Sequence, residues 1–234
     1  MAQIVCISGA GLSAQSGIRT FRDAGGLWEE YDVMEVCSVE GYAANPQKVH
    51  AFYDARRKDL RDKHPNAAHE MLARLKRAYP SDVAILTQNV DNLLEKAGCE
   101  EVVHLHGTLT HLRCKSCGEV FEIGYASQEG VRCPACQSPS VRHNVVMFGE
   151  AAPQYETLYT ALEDAKLLVC IGTSGQVINV AWMATQVEDS ILNNLDPDPE
   201  LDSYFAHCFH EPATLAAPKI EAYCKNFLAT QGTR

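Results

Sequence analysis

The sequence lacks any uninterrupted apolar run long enough to cross a bilayer, so no membrane-spanning helix and no membrane partner are expected. It also lacks a basic excess. Lys and Arg number 20 against 30 Asp and Glu, a formal net charge of −10, which argues against a nucleic-acid partner, since such a surface needs a cationic face. The acidity suits solubility first, and it is compatible with lysine-rich protein substrates. Met1 stands directly before an apolar strand pattern, so no leader peptide is read and a cytoplasmic location is expected. No internal repeat or low-complexity tract is visible, and the closest approach to a linker is the acidic proline pair at 196–199, read as a surface loop. At 234 residues and 46% hydrophobic content, the chain has material for one large domain, with or without a small insertion.

The ten cysteines fall into two kinds. Cys6, Cys37, Cys99, Cys170, Cys208 and Cys224 are scattered, several within apolar runs, and read as buried thiols. Cys114, Cys117, Cys133 and Cys136 form two C-x-x-C pairs separated by fifteen residues, which is the spacing of a tetrahedral zinc site. Four thiolates close the coordination sphere, so one Zn2+ per chain is expected in a structural role. Redox-active C-x-x-C pairs are the alternative, but they belong at the start of a helix on another kind of fold.

Short apolar runs at 4–7, 83–86, 102–105 and 167–171, with a weaker one at 190–195, look like interior strands of a parallel sheet. Helical spacing fills 46–63, 67–79, 155–165 and 216–227. The alternation predicts an α/β fold, a Rossmann-like doubly wound parallel sheet, with the cysteine module as a small insertion.

Three strand ends carry chemistry. The first runs into Gly9-Ala10-Gly11-Leu12-Ser13-Ala14, the G-x-G-x-x-G/A pattern with alanine in third place, which suits a pyrophosphate at a helix start. The second runs into Thr87-Gln88-Asn89-Val90-Asp91, amides and a carboxylate at the ligand-binding edge of such a sheet. The third ends in His104-Leu105-His106-Gly107. His106 stands at the edge as a candidate general base, while strand alternation turns His104 away into a structural role.

The ordered set GAGLSAQSGIRTFRD, TQNVDNL, HLHG, C-x-x-C…C-x-x-C, VVMFGE and GTS resembles the sirtuins, NAD-dependent protein-lysine deacylases, from about Ile4 to the C-terminal helix. The resemblance implies NAD as a consumed co-substrate. The acyl-lysine carbonyl oxygen attacks the nicotinamide ribose, nicotinamide leaves, and a histidine base, here His106, helps a ribose hydroxyl capture the acyl group. By the same resemblance Gly9, Ala10, Gly11, Ser13 and Ala14 form the NAD turn, and Phe21 and Arg22 close over the cofactor. Gln88, Asn89 and Asp91 line the nicotinamide and ribose pocket. Gly172, Thr173 and Ser174 give a second phosphate and ribose contact, and Asn194, Asp196 and Ala213 reach the adenosine. The acyl-lysine protein substrate is expected as an added strand between Val146, Phe148, Gly149 and Glu150 on one side and Gly175 and Val177 on the other. The implied organisation is a large NAD-binding domain of 1–23, 76–111 and 143–234, and a small domain of 24–75 and 112–142, acting as a monomer.

Tyr53 and Arg56 share a helical face at i, i+3. On spacing alone they belong to an ordinary amphipathic helix. By resemblance to class III sirtuins of bacterial type they read the distal carboxylate of succinyl- or malonyl-lysine, with acetyl-lysine also accepted. Arg57 reads as a surface charge. Ala24, Gly25, Gly26, Leu27 and Trp28 fall where the family roofs its acyl tunnel, and small residues there leave room for longer acyl chains. The chain departs from the family pattern at Arg19, His143, Met147, Asn179-Val180 and Glu211, and 182–195 is short for the elements expected there. Mono-ADP-ribosyl transfer and a catalytically silent NAD-sensing zinc protein are the alternatives.

Overall fold

The computed structural model describes residues 2–18 and 32–231. Arg19, Phe21, Arg22 and the Ala24 to Trp28 stretch lie outside the described residues.

Six strands form a parallel sheet: β1 (Ile4–Ser8), β2 (Val83–Thr87), β3 (Val103–His104), β7 (Leu167–Ile171), β8 (Asp189–Asn194) and β9 (His207–His210). Their order is β3-β2-β1-β7-β8-β9, with every pairing parallel. The chain leaves β1 toward β2 on one side and returns to β7 on the other. The two halves therefore diverge at β1, and a crevice opens beyond the carboxyl ends of β1 and β7. Strands β1 and β7 are buried at every position, as interior parallel strands with helices on both faces must be. One face packs α4 (Ala67–Ala78) and α9 (Ala213–Gln231) over Ile4, Cys6, Ile85 and Val169. The other packs α6 (Tyr155–Glu163) and α7 (Val180–Ala184) over Val5, Ile7, Leu168 and Leu192.

A second, antiparallel sheet of order β5-β4-β6 joins β4 (Gly107–Cys114), β5 (Val120–Glu122) and β6 (Val141–Val145). Strands β4 and β6 run from beside His106 at the crevice out to the cysteine module, with one shift of register between Thr108 and Leu112. The short helices α1 (Val33–Cys37) and α2 (Val39–Ala44) and the long α3 (Pro46–Leu60) pack on this sheet. Together they form a third core of Val49, Phe52, Tyr53, Leu109, Val145 and Met147. Two further short helices, α5 (Leu93–Lys96) and α8 (Pro199–Asp202), complete the set.

The structure departs from the sequence reading in places. The glycine turn opens into a 3-10 helix, Ala10–Ser16, closed by Gly17 at φ 75°, and not into an α-helix. Strand β9 follows without an apolar run to announce it, because as an edge strand it is half-buried. Residues 182–195 still hold a helix and a strand, because α7 is five residues long. Arg57 is the clearest correction. It is fully buried, inside the stripe Val49, Phe52, Tyr53, Leu60 that α3 turns to the core. Its Nε donates to the Leu109 carbonyl and its Nη1 pairs with Asp54, so this cation ties α3 to β4. Cys208 is only partly buried, whereas the other five scattered thiols are buried as expected.

Candidate active site

The crevice is a cavity of about 1090 Å³, large enough for a dinucleotide and part of a second substrate. Close backbone packing shapes its floor. A Cβ on Gly9 would stand 2.6 Å from the Gly172 carbonyl oxygen, and one on Gly11 would stand 2.6 Å from the Gly172 Cα. Only glycine lets the turn after β1 and the turn after β7 touch, and Ala10, Ala14, Thr173 and Ser174 then line the same wall.

Behind that wall runs a chain of hydrogen bonds. The Asn66 N–H donates to His69 Nδ1 at 3.2 Å, which leaves the ring proton on Nε2 to donate to Ser13 Oγ, also at 3.2 Å. Ser13 Oγ donates in turn to Asp91 Oδ2 at 2.9 Å and accepts from Asn89 Nδ2 at 3.1 Å. Asp91 Oδ1 accepts the Leu93 N–H. Burial drives the His69 pKa down to about 4 and raises that of Asp91 against the hydrogen bonds it accepts. Asn89 also reaches the Gly9 carbonyl, and Gln88 Nε2 donates to Thr173 Oγ1. Ser13, Gln88, Asn89 and Asp91 thus all line the cavity while their side chains hold the three strand ends in register. The residues expected at the adenosine line the same cavity. Asn194 Nδ2 donates to the Thr173 carbonyl, and Asp196 and Ala213 line the far wall. Glu211 lies beside them, paired with Lys219 at 2.7 Å.

The two histidines of HLHG are in opposite states. His104 has two acceptors, the Asn89 carbonyl at Nδ1 and Glu95 Oε1 at Nε2, and both favour its protonated form. Burial is the largest single influence and opposes that charge, but the Glu95 bond and charge, the Asn89 carbonyl and Asp91 together outweigh it and the pKa rises. His106 Nδ1 sits 3.0 Å from the Gln88 carbonyl oxygen. A carbonyl only accepts, so Nδ1 carries the proton and Nε2 presents a lone pair to the cavity. Burial lowers the pKa of His106, and the Gln88 bond opposes it. Gly107, at φ 81°, turns the chain directly after it into β4. Tyr155, which sequence reasoning did not single out, stands 3.1 Å from Nε2 through its hydroxyl.

Tyr53 and Arg56 both line the cavity. Tyr53 is almost wholly buried and its hydroxyl donates to Cys37 Sγ at 3.3 Å. Its ring stacks on His143 with centroids 3.8 Å apart and planes 24° from parallel. Arg56 lies over the Phe52 ring at 5.6 Å. The cavity mouth runs between Val146, Phe148, Gly149 and Glu150 and, opposite them, Val177, with Phe148 and Val177 exposed. Gly175 stands behind that wall and does not line the cavity. The carboxylate of Glu150 is spent on Arg142 and on the Met147 N–H, which shapes the turn. The Phe148 backbone pairs with Cys37 and Val39.

The residues fit the two groups that the sequence implies. The four sulfurs of Cys114, Cys117, Cys133 and Cys136 lie within 4.8 Å of one another, with two cross-pair separations of 3.6 Å. Zn–S bonds of about 2.3 Å put tetrahedral sulfurs about 3.8 Å apart, so this cluster suits a structural zinc. The glycine-floored crevice at the strand switch point suits a dinucleotide.

A doubly wound dinucleotide fold carrying a four-cysteine ribbon and a neutral edge histidine defines a narrow class of protein. The Sir2 family profile matches residues 9–179. An NAD-dependent protein deacylase of Campylobacter jejuni is 51% identical over 228 residues, covering 97% of this chain and 98% of its own. One from Escherichia coli (strain K12) is 40% identical over 226 residues, covering 93% and 80%. Among solved structures, a Sir2 homologue in complex with NAD superposes with a TM-score of 0.84 at 33% identity, over 96% of this chain and 90% of its own. A Sir2 protein with a deacetylated peptide and 3'-O-acetyl ADP ribose gives 0.77 at 25% identity, over 94% and 92%. The chain belongs to the Sir2 family, and with it to the NAD-dependent protein deacylases. Among the described residues no helix is long and apolar enough to cross a membrane.

Proposed function

We propose that this chain removes acetyl groups and the carboxylate-ended succinyl and malonyl groups from protein lysines, releasing nicotinamide and O-acyl-ADP-ribose. The reading has it acting as a monomer in the cytoplasm, its two domains divided as the sequence implies. The observation that carries it is the fixed tautomer of His106. With Nδ1 bound to the Gln88 carbonyl, Nε2 is an unprotonated acceptor inside the cavity, between the glycine turn and the exposed walls at Phe148 and Val177.

When bound, NAD supplies a sugar carbon made electrophilic by a departing cationic nicotinamide. The turn from Gly9 to Ala14, with Gly172, Thr173 and Ser174, holds its phosphates and ribose. Asn194, Asp196 and Ala213 hold its adenosine end. Gln88, Asn89 and Asp91 shape the pocket for the reacting sugar, and Phe21 and Arg22 close over it. His106 Nε2 takes a proton from a ribose hydroxyl, which then captures the acyl carbon. The peptide lies as an added strand, with Gly149 offering main-chain groups that Phe148 has already spent elsewhere. Main-chain recognition places little demand on sequence and suits varied protein substrates.

Tyr53 and Arg56 sit on the cavity wall where an acyl chain would end. A guanidinium fork and a phenol meet a carboxylate with charge-assisted bonds worth about 1.5–3 kcal/mol each. Turnover of matched acetyl and succinyl peptides with NAD tests both parts. His106→Ala should lower both reactions by about 10²–10⁴-fold. Tyr53→Phe with Arg56→Met should lower desuccinylation by about tenfold or more and leave deacetylation within about threefold. Equal losses on both peptides would refute the carboxylate reader.

A further inference from the structure

The base has a second partner that the family motifs do not name. Tyr155 opens α6, five residues beyond Glu150, and lines the same cavity as His106 and the peptide walls. Its hydroxyl lies 3.1 Å from His106 Nε2. Because Nδ1 holds the ring proton against Gln88, this hydroxyl donates to Nε2 in the resting protein. Burial, then the nearby Tyr159, raise the pKa of the phenol, so it stays protonated.

The reaction needs a proton at both ends. Nε2 gains one from the sugar hydroxyl. The lysine amine, with an ordinary pKa near ~10.4, leaves only if it receives one as its bond to the acyl carbon breaks. Nδ1 offers no way out for the proton, because its partner is a carbonyl oxygen that cannot pass it on. Among the described residues, Tyr155 is the only side chain hydrogen-bonded to His106.

Resting on the deacylase reading above, we propose that Tyr155 is a further catalytic residue, relaying the proton from His106 Nε2 to the departing lysine amine. The Nε2–H proton passes to Tyr155 Oη while the Oη–H proton passes to the lysine nitrogen. The acyl carbon–nitrogen bond breaks with its electron pair on nitrogen, and the acyl carbon stays on the sugar oxygen. Tyrosine ends neutral, the imidazole regains its lone pair, and the positive charge passes to the acyl carbon, shared by the two sugar oxygens it then bears, where water adds to give the O-acyl sugar.

Nicotinamide departure precedes this step, so the two reactions can be separated. In the zinc-loaded full chain, exchange of labelled nicotinamide into NAD is compared with acetyl loss from one acetyl-lysine peptide. For Tyr155→Phe, exchange should stay near wild type while acetyl loss falls, raising the exchange-to-transfer ratio by about tenfold or more. A peptide carrying acetyl-thialysine, whose amine is less basic, should close part of the gap. In the NAD-free protein, carbethoxylation of His106 by diethyl pyrocarbonate, located by mass mapping, should be faster in Tyr155→Phe because Nε2 is uncovered. A wild-type ratio in Tyr155→Phe, with rates unchanged or reduced together, overturns the relay, as does an unchanged carbethoxylation rate. Acyl transfer at the wild-type rate in His106→Ala would instead remove His106 as the base in the reading above, and the relay with it.

Discussion

The two ends of the cavity treat buried polar atoms differently. At the dinucleotide end, His69, Ser13, Asp91 and Asn89 form a closed circuit, and Gln88 finds Thr173. At the proposed acyl end, His143 is 1% exposed and neither ring nitrogen has a partner among the described residues. His50 Nδ1 and Arg57 Nη2 are likewise unpaired. A closed circuit in a low-dielectric interior fixes one geometry, because every departure from it strands a polar atom. The open cluster makes no such demand and is held by packing, with His143 stacked under Tyr53 and His50 edge-on to it. The end that must hold the reacting sugar is over-determined. The end proposed to select the acyl group is held by packing, and His143, one of the departures from the family pattern, sits there.

The largest effect tests whether the two ends are independent folding units. Stripping the metal with a chelator, or Cys133→Ala, removes a binding free energy of roughly 10 kcal/mol or more from the ribbon. Limited proteolysis should then cut within 115–140 while the parallel sheet stays protected. Simultaneous cutting across 167–194 would show that the two ends fold as one.

Arg57 joins the acyl end to that ribbon. Arg57→Ala should cost about 3–4 kcal/mol in urea unfolding, since it removes the cation paired with Asp54, takes a donor from the Leu109 carbonyl and empties a core position. A loss under about 1 kcal/mol would restore the surface-charge reading.

The closed circuit has its own signature in pH. His69 is held at a pKa of about 4, below the ordinary 6.5, so the folded state keeps it neutral. Above pH 6.5 both states are neutral there and its full contribution is present. Between 6.5 and 4 the unfolded chain binds a proton that the folded chain refuses. Stability therefore falls as pH drops, by up to about 3 kcal/mol from this group. The slope of unfolding free energy against pH should be shallower in His69→Gln over that window. An unchanged slope would mean that the circuit does not hold the ring neutral.

The smallest effect has the opposite sign. His143→Phe keeps the stack on Tyr53 and deletes two unpaired polar atoms, so it should add about 1 kcal/mol, or about 2–4 °C in Tm. Destabilisation by that amount would show that the nitrogens at the acyl end have partners after all.

Much of this was legible from residue order. The glycine turn, the amide-rich edge, His106 and the cysteine pairs were all visible because each needs particular residue types at fixed short spacings, and five of the six parallel strands announced themselves as apolar runs, β8 the most weakly. Arg57 was misread because its neighbour Arg56 competes for the same helical face. Two adjacent arginines differ by 100° around a helix, and only the partner surface decides which one is buried. Tyr155 carried no signal, since an aromatic at the start of an amphipathic helix is ordinary core material until its hydroxyl is found against Nε2. The 3-10 form of the turn was equally hidden, because it follows from contact with Gly172, more than 150 residues away.

The sequence by itself determined the sheet-forming runs, the cysteine cluster and the residue types at the crevice edge, because those depend on side-chain type and local periodicity. Only the tertiary structure decided which histidine has its burial offset by a carboxylate, which arginine is buried and which tyrosine reaches His106. A proton's place and a charge's cost depend on the partners that distant segments bring within about 3 Å, and no local pattern encodes them.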